Sequence, residues 1–331
     1  MPHKPLHLHG FLLLQYQASQ TRVLRAAVVG HGAFGRHHAT KYGRIPGVEL
    51  IGVADPSPDA RRQAKATHGV PVAADWRSLL GQVDIVSICS PAVTHAPIVR
   101  AFLNAGTDVL VEKPIATSLA EADSLIALAE AKSRLLTVGH QERFVFARTG
   151  LLNYDDAPLE VDCWRMGPWT GRGMDVSAVL DLMIHDIDLV HCLVAGDVID
   201  VEARGRVGIS RHSDDVTARV FFENGSIARL HASRISPVRR RGMRAVYEDG
   251  IIEIDFITRQ VKNTTGRPLK ELQLDDPLGE SITSFVSAAR LGASSLVRPE
   301  EARKALETAL LIEAAARRIR EADTESVALS A

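Results

Sequence analysis

RAAVVGHGAFG, Arg25 to Gly35, is a short apolar run that ends in glycines at 30, 32 and 35 and then passes into a helical pattern. Strand, GxGxxG and helix in that order form the context in which a glycine turn cradles a pyrophosphate. Gly30 permits the tight turn, Gly32 lets the backbone approach the phosphates, and Gly35 lets the helix sit close to the strand, with Ala33 and Phe34 between them. The helix N-terminus supplies amide donors and partial positive charge. Asp55 closes the next apolar run, VELIGVAD (48–55), twenty positions after Gly35. A carboxylate there accepts both ribose hydroxyls of an adenosine and repels a 2′-phosphate, so the spacing predicts NAD as cofactor. Arg61 and Arg62 on the following helical stretch keep NADP as the alternative; otherwise they form a solvated helix face.

Further apolar runs follow at DIVSICS (84–90), TDVLVEK (107–113) and LLTVG (135–139). They alternate with amphipathic stretches over 93–105 and 118–132, the second opening with Ser118 and Glu121 at capping-box spacing. This alternation predicts βαβ units, a parallel sheet and a Rossmann dinucleotide-binding domain over 24–146. Ser90, Pro91, Thr94 and His95 follow one strand and Glu112-Lys113-Pro114 another. These are carboxyl ends, where open α/β sheets bind ligands. Together with Gln141 they are the remaining candidates for cofactor contacts.

Beyond 147 the pattern changes to longer alternating strands: LEVDCWR, VIDVEARGRVGIS, DDVTARVFF, SIARLHASRIS, MRAVYED and GIIEIDF. They predict an α+β domain over 147–331 with a mostly antiparallel, open-faced sheet, so the fold class is α/β with this second domain. Asn224-Gly225 predicts a type I′ hairpin, in which both central residues need positive φ. A large uncovered sheet face is a natural oligomer interface, so a homodimer or homotetramer is expected. The stretch 299–322 reads as a surface helix with Pro299 near its first turn, and is a candidate to fold back on the first domain.

A chain of 331 residues suits two domains. Its net charge of −1 lacks the broad positive field of a sequence-independent nucleic-acid binder. No apolar run approaches the roughly 18 residues of a membrane span. Cys89, Cys163 and Cys192 are too scattered for a disulfide framework or a zinc site, and a reducing cytoplasm fits them. Residues 1–23 read as an extension rather than a signal peptide, because Phe11–Leu14 is too short an apolar core. His3, His7 and His9 in that arm could bind a metal, although a flexible terminal arm is the simpler reading.

VSAVLDLMIHDIDLVHCLV (176–194) is helical and apolar on most sides. At about 100° per residue Ser177, Asp181, His185 and Asp188 share one stripe, which predicts a face turned to a cleft. Asp186 points elsewhere and is expected to make structural hydrogen bonds, and His191 lies off the stripe. Asp181, His185, Asp188 and His191 are also ordinary metal ligands, but hydride chemistry needs no Lewis acid, and no metal is expected.

GHGAFG, Asp55, SPAVTH (90–95), Glu112-Lys113-Pro114 and DLMIH (181–185), in this order, resemble the glucose–fructose oxidoreductase, inositol dehydrogenase and MocA (Gfo/Idh/MocA) family of nicotinamide-dependent sugar oxidoreductases. The resemblance runs from Leu24 to the last helix. It implies that Lys113, Asp181 and His185 line the catalytic centre, and in this family the Lys-Pro bond is commonly cis. Oxidation of a secondary alcohol would then use His185 as proton acceptor, Lys113 as donor to the same oxygen and Asp181 to orient the sugar, with Lys113 and His185 able to exchange roles. GHQERF (139–144), WRMGP (164–168), Arg172 and Asp175-Val176 are similar to the branch acting on nucleotide sugars, the UDP-N-acetylglucosamine 3-dehydrogenases of lipid A or surface-polysaccharide synthesis. That likeness makes Arg165 and Arg172 candidate substrate ligands, since guanidinium forks bind diphosphates bidentately, and Arg143 a candidate to position substrate or cofactor. The competing assignment is a set of solvated arginines, and Arg239-Arg240-Arg241 reads as a solvated strand edge or subunit contact. An inositol or free-sugar dehydrogenase and a non-catalytic NAD-binding sensor are the alternatives.

Overall fold

The computed structural model describes residues 22–171, 173–271, 276–293 and 295–329. Arg172 and the histidines at 3, 7 and 9 lie outside the described residues. The chain forms two compact units: one comprises the residues up to Glu112 with Ser124–Gly139 and Leu278–Arg298, the other Lys113–Asp123, His140–Pro277 and the chain from Pro299.

The first unit is a six-stranded parallel sheet of β1 (Leu24–Val29), β2 (Val48–Ala54), β3 (Val72–Ala73), β4 (Ile85–Ile88), β5 (Asp108–Val111) and β6 (Leu136–Val138). The strand order β3-β2-β1-β4-β5-β6 reverses direction between β1 and β4, which creates the crevice where doubly wound sheets bind nucleotides. The helices α1 (Gly35–Tyr42), α2 (Pro58–His68), α3 (His95–Asn104) and α4 (Leu119–Ala131) alternate with the strands. Ser57 caps α2 through its hydroxyl and Gly69 ends it in the left-handed region, so both ends of that exposed helix are satisfied. At the start of α4 Ser118 Oγ accepts the Glu121 amide, the first half of the expected capping box, and the Glu121 carboxylate accepts the Ser118 hydroxyl.

A helix not anticipated from the sequence, α7 (Pro277–Leu291), contributes most of its length to this first unit, although 147–331 was expected to form the second domain. Ile282, Phe285 and Val286 recur at helical spacing and close the core over Leu24, Ala26, Val28 and Tyr42. Burying those side chains outweighs the cost of returning the chain after so long an excursion, because loop-closure entropy grows only slowly with length.

The second unit is built on a seven-stranded sheet in the order β13-β12-β11-β7-β10-β9-β8. Its strands are β7 (Glu160–Met166), β8 (Val198–Arg206), β9 (Asp215–Phe222), β10 (Ile227–Ser233), β11 (Arg240–Tyr247), β12 (Gly250–Asp255) and β13 (Gln260–Asn263). Only β7 and β10 run parallel; every other neighbouring pair is antiparallel. One face buries Val161, Cys163, Ala218, Leu230, Met243 and Ala245. The helix α6 (Ile184–Leu193) lies over β7 and β10, and α8 (Pro299–Leu329) over β8 and α6. The other face is open and laced with exposed ion pairs such as Arg229–Glu160 and Arg219–Glu202.

The hairpin at Asn224-Gly225 forms, but not as a type I′ turn. Gly225 has φ +86° while Asn224 does not reach positive φ. The Gly225 amide donates to Phe222 O and the Phe222 amide to Ser226 O, which is a three-residue loop ending in a left-handed glycine. Glu223 supplies the extra residue.

Candidate active site

The glycine turn joins β1 to α1. Gly30 has φ +87°, and a Cβ there would lie 2.7 Å from the Cys89 carbonyl. A Cβ on Gly35 would overlap the Gly30 carbonyl, whereas one on Gly32 would meet nothing within 4 Å. The two outer glycines are thus demanded by the protein's own packing, and the middle one leaves open the space a pyrophosphate would approach. Phe34 precedes α1 and is exposed. Asp55 follows β2 and is almost wholly buried; its two oxygens accept the His31 amide (2.7 Å) and the Ser57 amide (2.8 Å). Each oxygen keeps a lone pair for a ribose hydroxyl. Arg61 donates to the carbonyls of Asp55 and Pro56, and Arg62 pairs with Asp59, so both have local partners other than a 2′-phosphate.

The SPAVTH loop is tied internally. Thr94 Oγ1 donates to Pro91 O and meets Ser90 Oγ (2.7 Å each), and the buried His95 donates through Nε2 to Ser90 O (2.9 Å). His95 therefore supports the loop from within. Glu112 is held by His38 (Nε2 to Oε1, 3.1 Å), whose Nδ1 meets Ser87 Oγ at 2.9 Å, and Ser87 in turn bonds the Tyr42 hydroxyl at 2.7 Å. A Cβ on Gly139 would lie 2.8 Å from Glu112 Oε1, so glycine there makes room for the carboxylate. These side chains fit an NAD: an open glycine turn, an oriented carboxylate after β2, and polar loops after β4 and β5.

Lys113 begins the second unit, and its bond to Pro114 is cis. Its Nζ donates to the Asp181 carbonyl (2.5 Å) and to Asp181 Oδ1 (3.0 Å). Asp181 stands in a π-helical turn, Val179–Met183, in which the Ile184 amide reaches back to Val179 O before α6 begins. Such turns recur at functional sites because they re-aim side chains. Here the turn breaks the stripe expected from a regular helix. Ser177 caps the turn by accepting the amides of Val179 and Leu180, Asp181 meets Lys113, and Asp188 is buried against Arg143. His185 stays half-buried with Nδ1 enclosed and unbonded. Burial first, then the charges of Lys113, Arg165, His140 and Arg241, hold its pKa well below the usual histidine value, so the ring is neutral at neutral pH. His191 instead bonds Thr308 (2.8 Å). Among the described residues no group of three or more His, Cys, Asp or Glu could hold a metal.

Two of the arginines expected to hold substrate, Arg143 and Arg165, are engaged elsewhere, which corrects that expectation for them. Arg143, on α5 (Glu142–Thr149), makes a two-pronged pair with Asp188 (2.7 Å for both bonds) and also reaches Glu301. Arg165 pairs with Asp186 (2.7 Å) and Glu142 (3.0 Å). Both arginines are almost fully buried. The guanidinium forks are directed at carboxylates inside the unit and fasten α5, α6 and β7 together. Gln141 immediately precedes α5. Arg239 and Arg240 are exposed, as expected of a solvated stretch, but Arg240 and Arg241 belong to β11, an inner strand between β7 and β12 and not a sheet edge.

Two residues not foreseen from the sequence frame Asp181. Gly173 has φ +69°, and a Cβ there would overlap the Asp181 carboxylate. Arg234 donates to Gly173 O and to Val176 O (2.9 Å), and pairs with Asp214 (2.7 Å). Burial opposes ionisation of Asp214, but the amides of Ser210, Ile209 and Gly208 hold its carboxyl far below the usual range. Nothing local in sequence marks Arg234, whose partners lie 20 and 58 positions away.

An open nucleotide turn on a doubly wound sheet, with a lysine–aspartate pair and a neutral histidine on the second unit, defines a nicotinamide-dependent oxidoreductase. The family model described as "Oxidoreductase family, NAD-binding Rossmann fold" matches residues 24–140, and the GFO/IDH/MocA C-terminal domain matches 151–253. The chain belongs to the Gfo/Idh/MocA oxidoreductase family, and NAD is its cofactor. It is similar to UDP-N-acetylglucosamine 3-dehydrogenase of Acidithiobacillus ferrooxidans, with 34% identity over 71% of this chain and 74% of the relative. The solved structure of that enzyme superposes with a TM-score of 0.81 at 30% identity, covering 88% of this chain and 97% of the other. An inositol 2-dehydrogenase of Rhodococcus erythropolis is 31% identical over 56% of each chain. The apo scyllo-inositol dehydrogenase of Lactobacillus casei shares the fold, with a TM-score of 0.77 at 18% identity over 90% of this chain and 97% of that one. No helix among the described residues is long and apolar enough to cross a membrane.

Proposed function

We propose that this protein oxidises the C3 hydroxyl of UDP-N-acetylglucosamine to the 3-keto nucleotide sugar, a product suited to transamination in amino-sugar synthesis. The observation that carries the chemistry is the pairing of Lys113 with Asp181 beside a histidine kept neutral. Asp181 aims the Lys113 ammonium, which donates to the substrate oxygen and stabilises the charge that develops on it. His185 takes the hydroxyl proton, since a ring that is neutral in the resting state can accept one. Bound NAD supplies the acceptor for the hydride leaving the carbon. The substrate assignment is supported by the extent of likeness: the nucleotide-sugar relative matches over 71% of this chain, the inositol enzyme of Rhodococcus over 56%.

Inositol or a free sugar is the second reading, favoured by the several inositol dehydrogenases among the relatives. A binding-only sensor has no use for a lysine–aspartate pair beside a neutral histidine. Purified protein with NAD, mixed separately with UDP-N-acetylglucosamine, myo-inositol and glucose, is followed for NADH absorbance, with a parallel run containing 2-oxoglutarate to reoxidise any retained NADH. Turnover of the nucleotide sugar alone is expected. Turnover of inositol with none of the nucleotide sugar, in either run, would replace the first reading by the second.

A further inference from the structure

We propose that Arg241 holds the diphosphate of the nucleotide-sugar substrate, the part expected of Arg165 and Arg172. The inference rests on the nucleotide-sugar reading above. Side chains along β11 alternate between the two faces of the sheet. Arg240 turns to the open face and stacks over the Trp164 ring at 5.5 Å, and Gly242 on that face leaves room for the same indole. Arg241 turns the other way, to the face where Met243 is buried and α6 lies.

Its cross-strand partner in the antiparallel β7–β11 pair is Arg165. Residues directly opposite in such a pair place their side chains side by side, and like charges there repel. The repulsion is relieved on one side only. Arg165 is neutralised by Asp186 and Glu142. Among the described residues the Arg241 guanidinium has no carboxylate within 4 Å and donates no hydrogen bond, yet it is half-buried. Burial, then Arg165, pushes its pKa below the usual arginine value against the more distant pull of Glu142 and Asp186, neither of which bonds its guanidinium.

The charge of Arg241 also acts on His185, which places this free fork within electrostatic reach of the proposed base. A planar guanidinium with unused donors is matched by a diphosphate, whose paired oxygens accept two parallel bonds. Arg143, Arg165 and Arg234 have their forks closed by Asp188, Asp186 and Asp214. Arg241 does not.

The test uses NAD-loaded protein titrated calorimetrically with UDP and, as the phosphate-free control, uridine. Wild type is expected to bind UDP more tightly than uridine. Arg241→Gln is expected to weaken UDP about tenfold or more, the loss of one charged fork, while uridine and NAD affinities and the melting temperature stay unchanged. In turnover the same variant is expected to raise KM for UDP-N-acetylglucosamine about tenfold or more, the signature of a lost substrate contact. Equal UDP affinity in wild type and Arg241→Gln would overturn the assignment and leave the nucleotide-sugar reading intact. Wild type that binds UDP no better than uridine would overturn both. Should Arg241→Gln fail to fold, Arg241→Lys keeps the charge without the fork: weakened UDP binding supports the proposal, and undiminished binding contradicts it.

Discussion

Lys113 is held by the carbonyl and the carboxylate of a single residue, Asp181, so its ammonium can turn little. Removing it, or His185, should cost about 10²–10⁴-fold in kcat while NAD affinity, measured by fluorescence titration, is nearly unchanged. The depressed pKa of His185 gives a second expectation at this scale. A base that protonates only in acid keeps kcat level through pH 6.5, and the acid limb of the profile falls below the ordinary histidine range; a midpoint at or above 6.5 would remove His185 from the role. At the cofactor, Asp55→Asn should raise KM for NAD several-fold with little effect on kcat, because the single amide oxygen can accept only one of the two backbone amides and the charge that attracts the ribose hydroxyls is gone. Gly30, Gly32, Gly35 and Asp55 were legible in the sequence because their requirements are local. Arg143 and Arg165 were misread because the partners that engage them, Asp188 and Asp186, lie 45 and 21 positions away and carry no local signal.

At the scale of elements, the strands marked by apolar runs or sustained alternation were found, while β3 has only two residues and β13, QVKN, is polar and mostly exposed, so neither carries such a pattern. The helix bearing Asp181 was also found, but its stripe was drawn at a regular 100° per residue, and the π turn at Val179–Met183 resets the phase between Asp181 and Asp188. Ser118→Ala removes the hydroxyl that accepts the Glu121 amide and should lower unfolding free energy by about 1 kcal/mol in denaturant titration. Gly173→Ala is expected to do more to activity than to the fold. Its backbone is at positive φ, and the added methyl would displace the Asp181 carboxylate that aims Lys113. Measured kcat should therefore drop at least about tenfold, as for a misplaced catalytic group, while NAD binding persists.

The return of Leu278–Arg298 to the first unit was invisible, because an amphipathic helix does not declare which sheet it will cover. Stability should carry an acid signature. Burial lowers the pKa of His191 to about 4, so the folded protein binds fewer protons than the unfolded chain between that value and about 6.5. Its contribution is complete above pH 6.5 and is lost as pH falls towards 4, a swing of about 2 kcal/mol once residual solvent contact is allowed for. The melting temperature should decline over that window, and less steeply in His191→Gln. The catalytic account itself is tested most directly by following the hydrogen that moves. UDP-N-acetylglucosamine deuterated at C3 is incubated with the NAD-loaded protein, and the reduced nicotinamide is analysed by mass spectrometry. The account predicts NADH carrying the deuterium together with a 3-keto sugar; NADH formed without the label would contradict it.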